Sequence, residues 1–193
     1  MDKHPAVFLD RDGTINEEVG FLDCLERLKL FPDTPSAVRL INERGMKVVV
    51  ATNQSGIARG YFTEAVVEML HDHIQKRLQA KGAHIDRFYY CPHHPTEGRG
   101  SYRIVCACRK PEAGMLRQAA EEMGLDLSRS YLIGDKATDI EAAARAGVKS
   151  ILIRNSFSSG EIQGFPLQRQ AEPDWIADSL LEAVRWILQD SQL

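Results

Sequence analysis

The stretch AVFLDRDG, residues 6–13, passes from an apolar run straight into two aspartates, Asp10 and Asp12, with one arginine between them. Apolar runs rich in Val, Ile and Leu suit strands covered on both faces, and such strands belong to parallel sheets. Four further runs follow: KVVVAT (47–52), DRFYYC (86–91), SYLIGD (130–135) and SILIR (150–154). Helical patterns separate them. Residues 35–44 have Pro35 near the first turn and Gly45 as a stop, the favoured ends of a helix. Residues 64–80 follow Thr63 as N-cap, carry Val66, Met69, Leu70, Ile74 and Leu78 at helical spacing, and stop at Gly82. Residues 113–123 and 138–146 stop at Gly124 and Gly147, and a last helix covers 179–188. This alternation predicts an α/β fold with a doubly wound, Rossmann-like parallel sheet, in one domain spanning 1–193. The segments 92–109 and 155–173 interrupt it, the second being rich in Ser, Gly and Gln.

The 44% hydrophobic and 26% charged fractions are those of a soluble globular chain. A net charge of -3 gives no basic footprint for nucleic acid. The N-terminal apolar run is too short for a signal peptide, and no run approaches the roughly 20 residues that span a bilayer. A cytoplasmic protein with reduced thiols, no membrane partner and no nucleic-acid partner is expected. With neither a coiled-coil repeat nor an apolar patch in view, so is a monomer.

Ligands of open α/β sheets collect at the carboxyl ends of the strands. If the extended path continues past the first strand, Asp10 and Asp12 face one side of that crevice. The alternative is a strand end followed by an Asp-Gly turn. Two other predicted strands also end in polar groups: Thr52, Asn53, Gln54 and Ser55 after one, Asp135, Lys136 and Asp139 after the other.

Together with Lys110, the ordered motifs DRDGT, ATN, RKP and GDKATD resemble the haloacid dehalogenase-like phosphohydrolases over residues 6 to 153. The resemblance implies Mg²⁺ held by Asp10, Asp135 and the backbone carbonyl of Asp12, a set suited to a hard cation that keeps several waters. It implies Asp10 as the nucleophile that forms an aspartyl-phosphate. Asp12 is then the acid and base, which requires a raised pKa. Thr52 and Lys110 would stabilise the phosphoryl oxygens. Asn53, Gln54 and Ser55 either touch substrate or cap the loop. Lys136 either reaches a second anionic group or balances charge, and Asp139 orients its neighbours. Arg11 and the loop Glu18, Val19, Gly20 and Phe21 complete the candidate substrate contacts.

Residues 91–109 contain Cys91, His93, Cys106 and Cys108, a C-x-H pair and a C-x-C pair. Three thiolates and an imidazole match a closed, structural Zn²⁺ site. His93 is favoured over His94 by alternation from Cys91. The other histidines, His71 among them, read as surface or helix residues. The loop ends in Arg109 and Lys110, so the metal would position phosphate-binding groups. Arg109 either clamps a remote phosphate with its planar fork or forms a surface ion pair. The loop is similar to those of heptose 1,7-bisphosphate phosphatases and histidinol-phosphate phosphatases, and its longer spacing, with TNQSGIARGYFTE, looks like the former. That resemblance implies no large cap domain and a sugar bisphosphate substrate losing its 7-phosphate, the heptose serving surface glycans such as lipopolysaccharide core. Histidinol-phosphate hydrolysis and an inactive phosphosugar-binding module are the alternatives. Val19 and Phe21 stand where the heptose enzymes carry His and Tyr, which leaves the substrate anomer open.

Overall fold

The computed structural model describes residues 3–154 and 171–191. Its elements in chain order are β1 (Ala6–Leu9), α1 (Thr34–Glu43), β2 (Lys47–Asn53), α2 (Gly56–Arg59), α3 (Glu64–Gln79) and β3 (Arg87–Cys91). There follow α4 (Gly114–Met123), β4 (Tyr131–Gly134), α5 (Ala137–Ala146), β5 (Lys149–Ile153), β6 (Trp175–Ala177) and α6 (Leu180–Asp190). The six strands form one sheet in the order β3-β2-β1-β4-β5-β6, and every pairing is parallel. β1 therefore lies at the reversal of strand order, where the crevice of such a sheet opens.

Alternation along the strands builds two cores. Val7 and Leu9, Val48 and Val50, and Tyr131 and Ile133 face one side, where they pack with α1, α3 and α6 through Ile41, Ile74 and Ile187. Phe8, Val49 and Leu132 face the other, against Met115, Leu116 and Ala143 of α4 and α5. Both faces being covered explains why the strands are apolar throughout.

The five expected strands and five expected helices are present, with ends shifted by a residue or so. β6 was not expected. It has only three residues, and Trp175 and Ile176 are 42% and 43% exposed, so neither length nor alternation marks it. The single-turn α2 also escapes the periodic pattern. Of the segment 155–173, residues 155–170 lie outside the described residues. Among the described residues, no helix is long and apolar enough to cross a membrane.

Candidate active site

β1 ends at Leu9, and the Asp10 amide still donates to the Ile133 carbonyl of β4 at 2.9 Å. The chain then turns instead of continuing extended, with the amides of Thr14, Ile15 and Asn16 all pointing at the Arg11 carbonyl. This turn brings Gly13, at φ +85°, beside β4. A Cβ there would lie 2.2 Å from Asp135 Oδ2, so only glycine lets the two strand ends meet this closely. The same holds at Gly134, where a Cβ would lie 2.3 Å from Asp139 Cγ.

Asp10, Asp135 and Asp139 are all buried and offer ligand atoms within 4.8 Å of one another. Lys110 Nζ enters the same space, 2.9 Å from Asp10 Oδ1 and 2.5 Å from Asp139 Oδ1, while donating to the Ala51 carbonyl at 2.7 Å. Burial opposes the Lys110 charge, but Asp10 and Asp139 more than offset it, so its pKa is raised. Asp139 fastens the start of α5 by accepting from the Lys136 amide at 3.1 Å. It thus holds the Lys136 amide and the Lys110 ammonium in place.

Asp135 differs from the other two. Both of its carboxylate oxygens are buried without a hydrogen-bond partner. Burial, with Asp10 and Asp139 adding repulsion against the pull of Lys136, pushes its carboxyl up to about 7. A buried carboxylate is costly unless paired or bound to a cation. Two unmet oxygens beside a second carboxylate therefore fit a divalent ion, and an all-oxygen donor set suits Mg²⁺.

Asp12 departs from expectation. Its Oδ1 accepts from Arg11 Nε at 3.0 Å and Asn16 Nδ2 at 2.9 Å, and its Oδ2 from Arg11 Nη2 at 2.8 Å and Gln54 Nε2 at 3.0 Å. Burial raises its pKa, but the Arg11 guanidinium and these donors outweigh burial and hold it at about 2. The expected raised pKa is thereby corrected: at rest the carboxyl is ionised and its acceptor directions are filled. The same bonds correct two candidate substrate contacts. Arg11 is 0% exposed and spends its fork on Asp12, and Gln54 is buried between Arg11, Asp12 and Thr52 Oγ1.

Asn53 serves as a clasp. Its amide donates to the Lys110 carbonyl at 2.9 Å and its oxygen accepts from the Lys110 amide at 3.0 Å, favouring loop capping over substrate contact. Ser55 precedes α2 and makes no capping bond with its side chain. Val19 is partly buried and packs against the main core. Glu18 pairs with Lys136 at 2.8 Å, and its other oxygen accepts from the Gly20 amide at 2.9 Å. Phe21 sits exposed at the rim, with Tyr61 edge-on at 4.6 Å and the Arg59 guanidinium 5.7 Å from its ring. Arg59, overlooked in the sequence, also meets Glu97 and His94.

The ligand atoms of Cys91, His93, Cys106 and Cys108 converge within 4.8 Å. The three sulfurs lie 3.2, 3.3 and 3.5 Å apart, and His93 Nδ1 lies 3.4 Å from Cys108 Sγ. A disulfide needs about 2.05 Å, and all are free thiols. His94 turns away, its Nδ1 facing the amides of Thr96 and Glu97. Donation from the Cys91 thiol, opposed by burial and aided by Cys106 and His93, draws Cys108 down to about 5. Arg109 donates to the His93 carbonyl at 3.2 Å, which ties it to the cluster and not to a surface carboxylate.

A parallel sheet whose central strands end in Asp10, Thr52 and Asp135, with a lysine brought in from a loop, defines a haloacid dehalogenase-like hydrolase. A HAD-hydrolase-like family profile matches residues 107–183. The chain is 44% identical over 187 residues to D-glycero-D-manno-heptose-1,7-bisphosphate 7-phosphatase of Thermosynechococcus vestitus, with 95% of each chain covered. It is 41% identical to D-glycero-beta-D-manno-heptose-1,7-bisphosphate 7-phosphatase of Salmonella typhi, covering 92% of each. The chain belongs to this heptose bisphosphate phosphatase family. Its fold matches the crystal structure of D,D-heptose 1,7-bisphosphate phosphatase from B. bronchiseptica complexed with magnesium and phosphate, with a TM-score of 0.79 and 31% identity, covering 96% of this chain and 99% of that one.

Proposed function

We propose that the chain, as one domain over 1–193, is a Mg²⁺-dependent phosphatase that removes the 7-phosphate of D-glycero-D-manno-heptose 1,7-bisphosphate. One observation carries the reading: the Asp135 carboxylate, neither oxygen of which has a hydrogen-bond partner, lies against Asp10 at the mouth of the central strands. Asp10, Asp135 and the Asp12 carbonyl would hold Mg²⁺, which neutralises phosphate charge and lets an anionic nucleophile approach.

Asp10 attacks phosphorus in line, and its carboxylate becomes an aspartyl-phosphate as the sugar oxygen departs. Two donors on Oδ1, the Arg11 amide at 2.8 Å and Lys110, fix its plane beforehand. Lys110 and Thr52 then meet charge on the phosphoryl oxygens with groups already in place. Asp12, ionised at rest, first takes up a proton from solvent, gives it to the leaving oxygen and later takes one from the attacking water. It does so only after exchanging one of its resting hydrogen bonds. Arg109 and Lys136 are the candidates for the remote phosphate, and Phe21 and Ser55 for the sugar.

The convergence of three thiols and an imidazole supports Zn²⁺ at Cys91, His93, Cys106 and Cys108, where closed ligation would brace the loop that delivers Arg109 and Lys110. Elemental analysis after metal-free purification should find about one zinc per chain; less than half of that would count against it. For the reaction, the purified protein with Mg²⁺ should release phosphate from the heptose bisphosphate far faster than from histidinol phosphate. Equal or better use of histidinol phosphate would overturn the substrate assignment.

A further inference from the structure

His71 lies on α3, which contributes no group to the mechanism above. It is nevertheless buried, at 6% exposure, stacked on Phe88 at 4.6 Å and edge-on to Tyr90 at 5.9 Å. Its Nε2 faces Arg11 Nη1 at 3.4 Å. A guanidinium can only donate, so Nε2 must carry a lone pair and the ring must be neutral. Burial, reinforced by the Arg11 charge, holds its pKa down to about 3, which keeps the ring in that form.

Arg11 is itself fully enclosed. Its Nε and Nη2 grip the two oxygens of Asp12, Nη2 also reaches Gln54 Oε1 at 3.0 Å, and Nη1 is left to His71. A rigid planar fork moves as a unit. Whatever fixes its far edge also fixes the edge that holds Asp12. The aromatic packing of His71 between Phe88 and Tyr90 leaves the imidazole little freedom, so the chain of contacts runs from β3 through His71 and Arg11 to the carboxylate.

We infer that His71 is a positioning residue for leaving-group protonation, acting through the Arg11 fork on the Asp12 carboxylate. The inference rests on the reading of Asp12 as acid. It makes a specific demand. When the sugar alkoxide departs, its oxygen must gain the Asp12 proton, whereas the phenolate of para-nitrophenyl phosphate leaves without one. kcat/KM covers only the steps up to leaving-group departure, so it separates this transfer from later hydrolysis of the aspartyl-phosphate.

The test compares His71→Leu, His71→Gln and Asp12→Asn on both esters, with near-UV circular dichroism to verify folding. His71→Leu, which removes the acceptor, should lower kcat/KM for the bisphosphate about tenfold and for para-nitrophenyl phosphate by less than about threefold, a part of the 10²–10⁴ that acid–base catalysis supplies. His71→Gln, whose carbonyl can accept from Nη1, should recover most of the loss. Equal losses on the two esters, no loss on either, or no recovery with Gln would overturn the inference. Asp12→Asn separates the failures: if it too spares the bisphosphate, the acid assignment is wrong; if it alone is selective, only the role of His71 is.

Discussion

The carboxylates at the ends of β1 and β4 and the thiols of residues 91–108 are held by opposite means. Asp10 and Asp135 adjoin buried strands, and their positions are set by the ladder of the sheet and by glycines that let the strand ends meet. Of the thiols, only Cys91 lies on a strand. Cys106 and Cys108 sit in an irregular loop tied down by a few bonds, such as the Gly114 amide to the Ala107 carbonyl at 2.9 Å. A rigid scaffold can hold like charges together against their repulsion. An irregular loop depends instead on the side chains that converge within it.

Four changes test that contrast. Replacing Asp10 by Asn should abolish turnover by at least about 10⁴-fold, the scale of losing a covalent nucleophile, with circular dichroism unchanged because the sheet does not depend on the charge. Cys108→Ser should act on structure instead. Amides of 92–109 should lose hydrogen-exchange protection while those of β1, β2 and β4 keep theirs, and activity should fall about 10²-fold as Lys110 loses its placement.

The third change concerns stored repulsion. The Asp135 carboxyl is held at about 7 in the folded chain against an ordinary 3.8. An acid raised by folding binds more protons in the native state, so stability is lost as pH rises. The loss begins above the ordinary value and is complete above about 7. Metal-free protein should therefore unfold more readily at about pH 8 than at about pH 5, by a few kcal/mol in denaturant melts. Asp135→Asn or added Mg²⁺ should flatten that slope. An unchanged slope would mean the sheet does not bear the strain assigned to it.

The smallest effect is expected at the loop's outer tie. Tyr102 donates to Glu64 Oε1 at 2.5 Å, and Tyr90 to the other oxygen at 2.7 Å. Tyr102→Phe should raise proteolytic cutting within 92–109 by about two- to tenfold, the equilibrium worth of one hydrogen bond, with the melting temperature unaltered.

Much of this contrast was legible in the sequence. The runs at β1, β2 and β4 show no alternation because both faces are buried, and glycines close α4 and α5 in left-handed caps at Gly124 and Gly147. The polar strand ends then mark the crevice, and the C-x-H and C-x-C pairs mark the loop. What was hidden is where buried polar groups point. Arg11 reads as a crevice residue because it sits between two of them, yet the turn after Asp10 directs it inward. His71 did leave a trace: it falls four residues after Val67 and three before Ile74, on the buried stripe of α3. Periodicity marked its burial, while its polarity argued for the surface. β6, with three residues of which two are half-exposed, carries too little pattern to read.

The Lys110 ammonium has an arithmetic consequence. Among the described residues, Asp10, Asp135 and Asp139 share the crevice; Lys110, lodged between Asp10 and Asp139, cancels one negative charge, while Lys136, 4.0 Å from Asp135, is balanced by its pair with Glu18. Once Asp135 is ionised, as it is above about pH 7, two are left over, the valence of one alkaline-earth ion. Bare, the crevice should repel a phosphate dianion; filled, it approaches electroneutrality. Occupancy by the ion should thus precede that of the sugar ester, an ordered encounter written into the number of acids surrounding one amine.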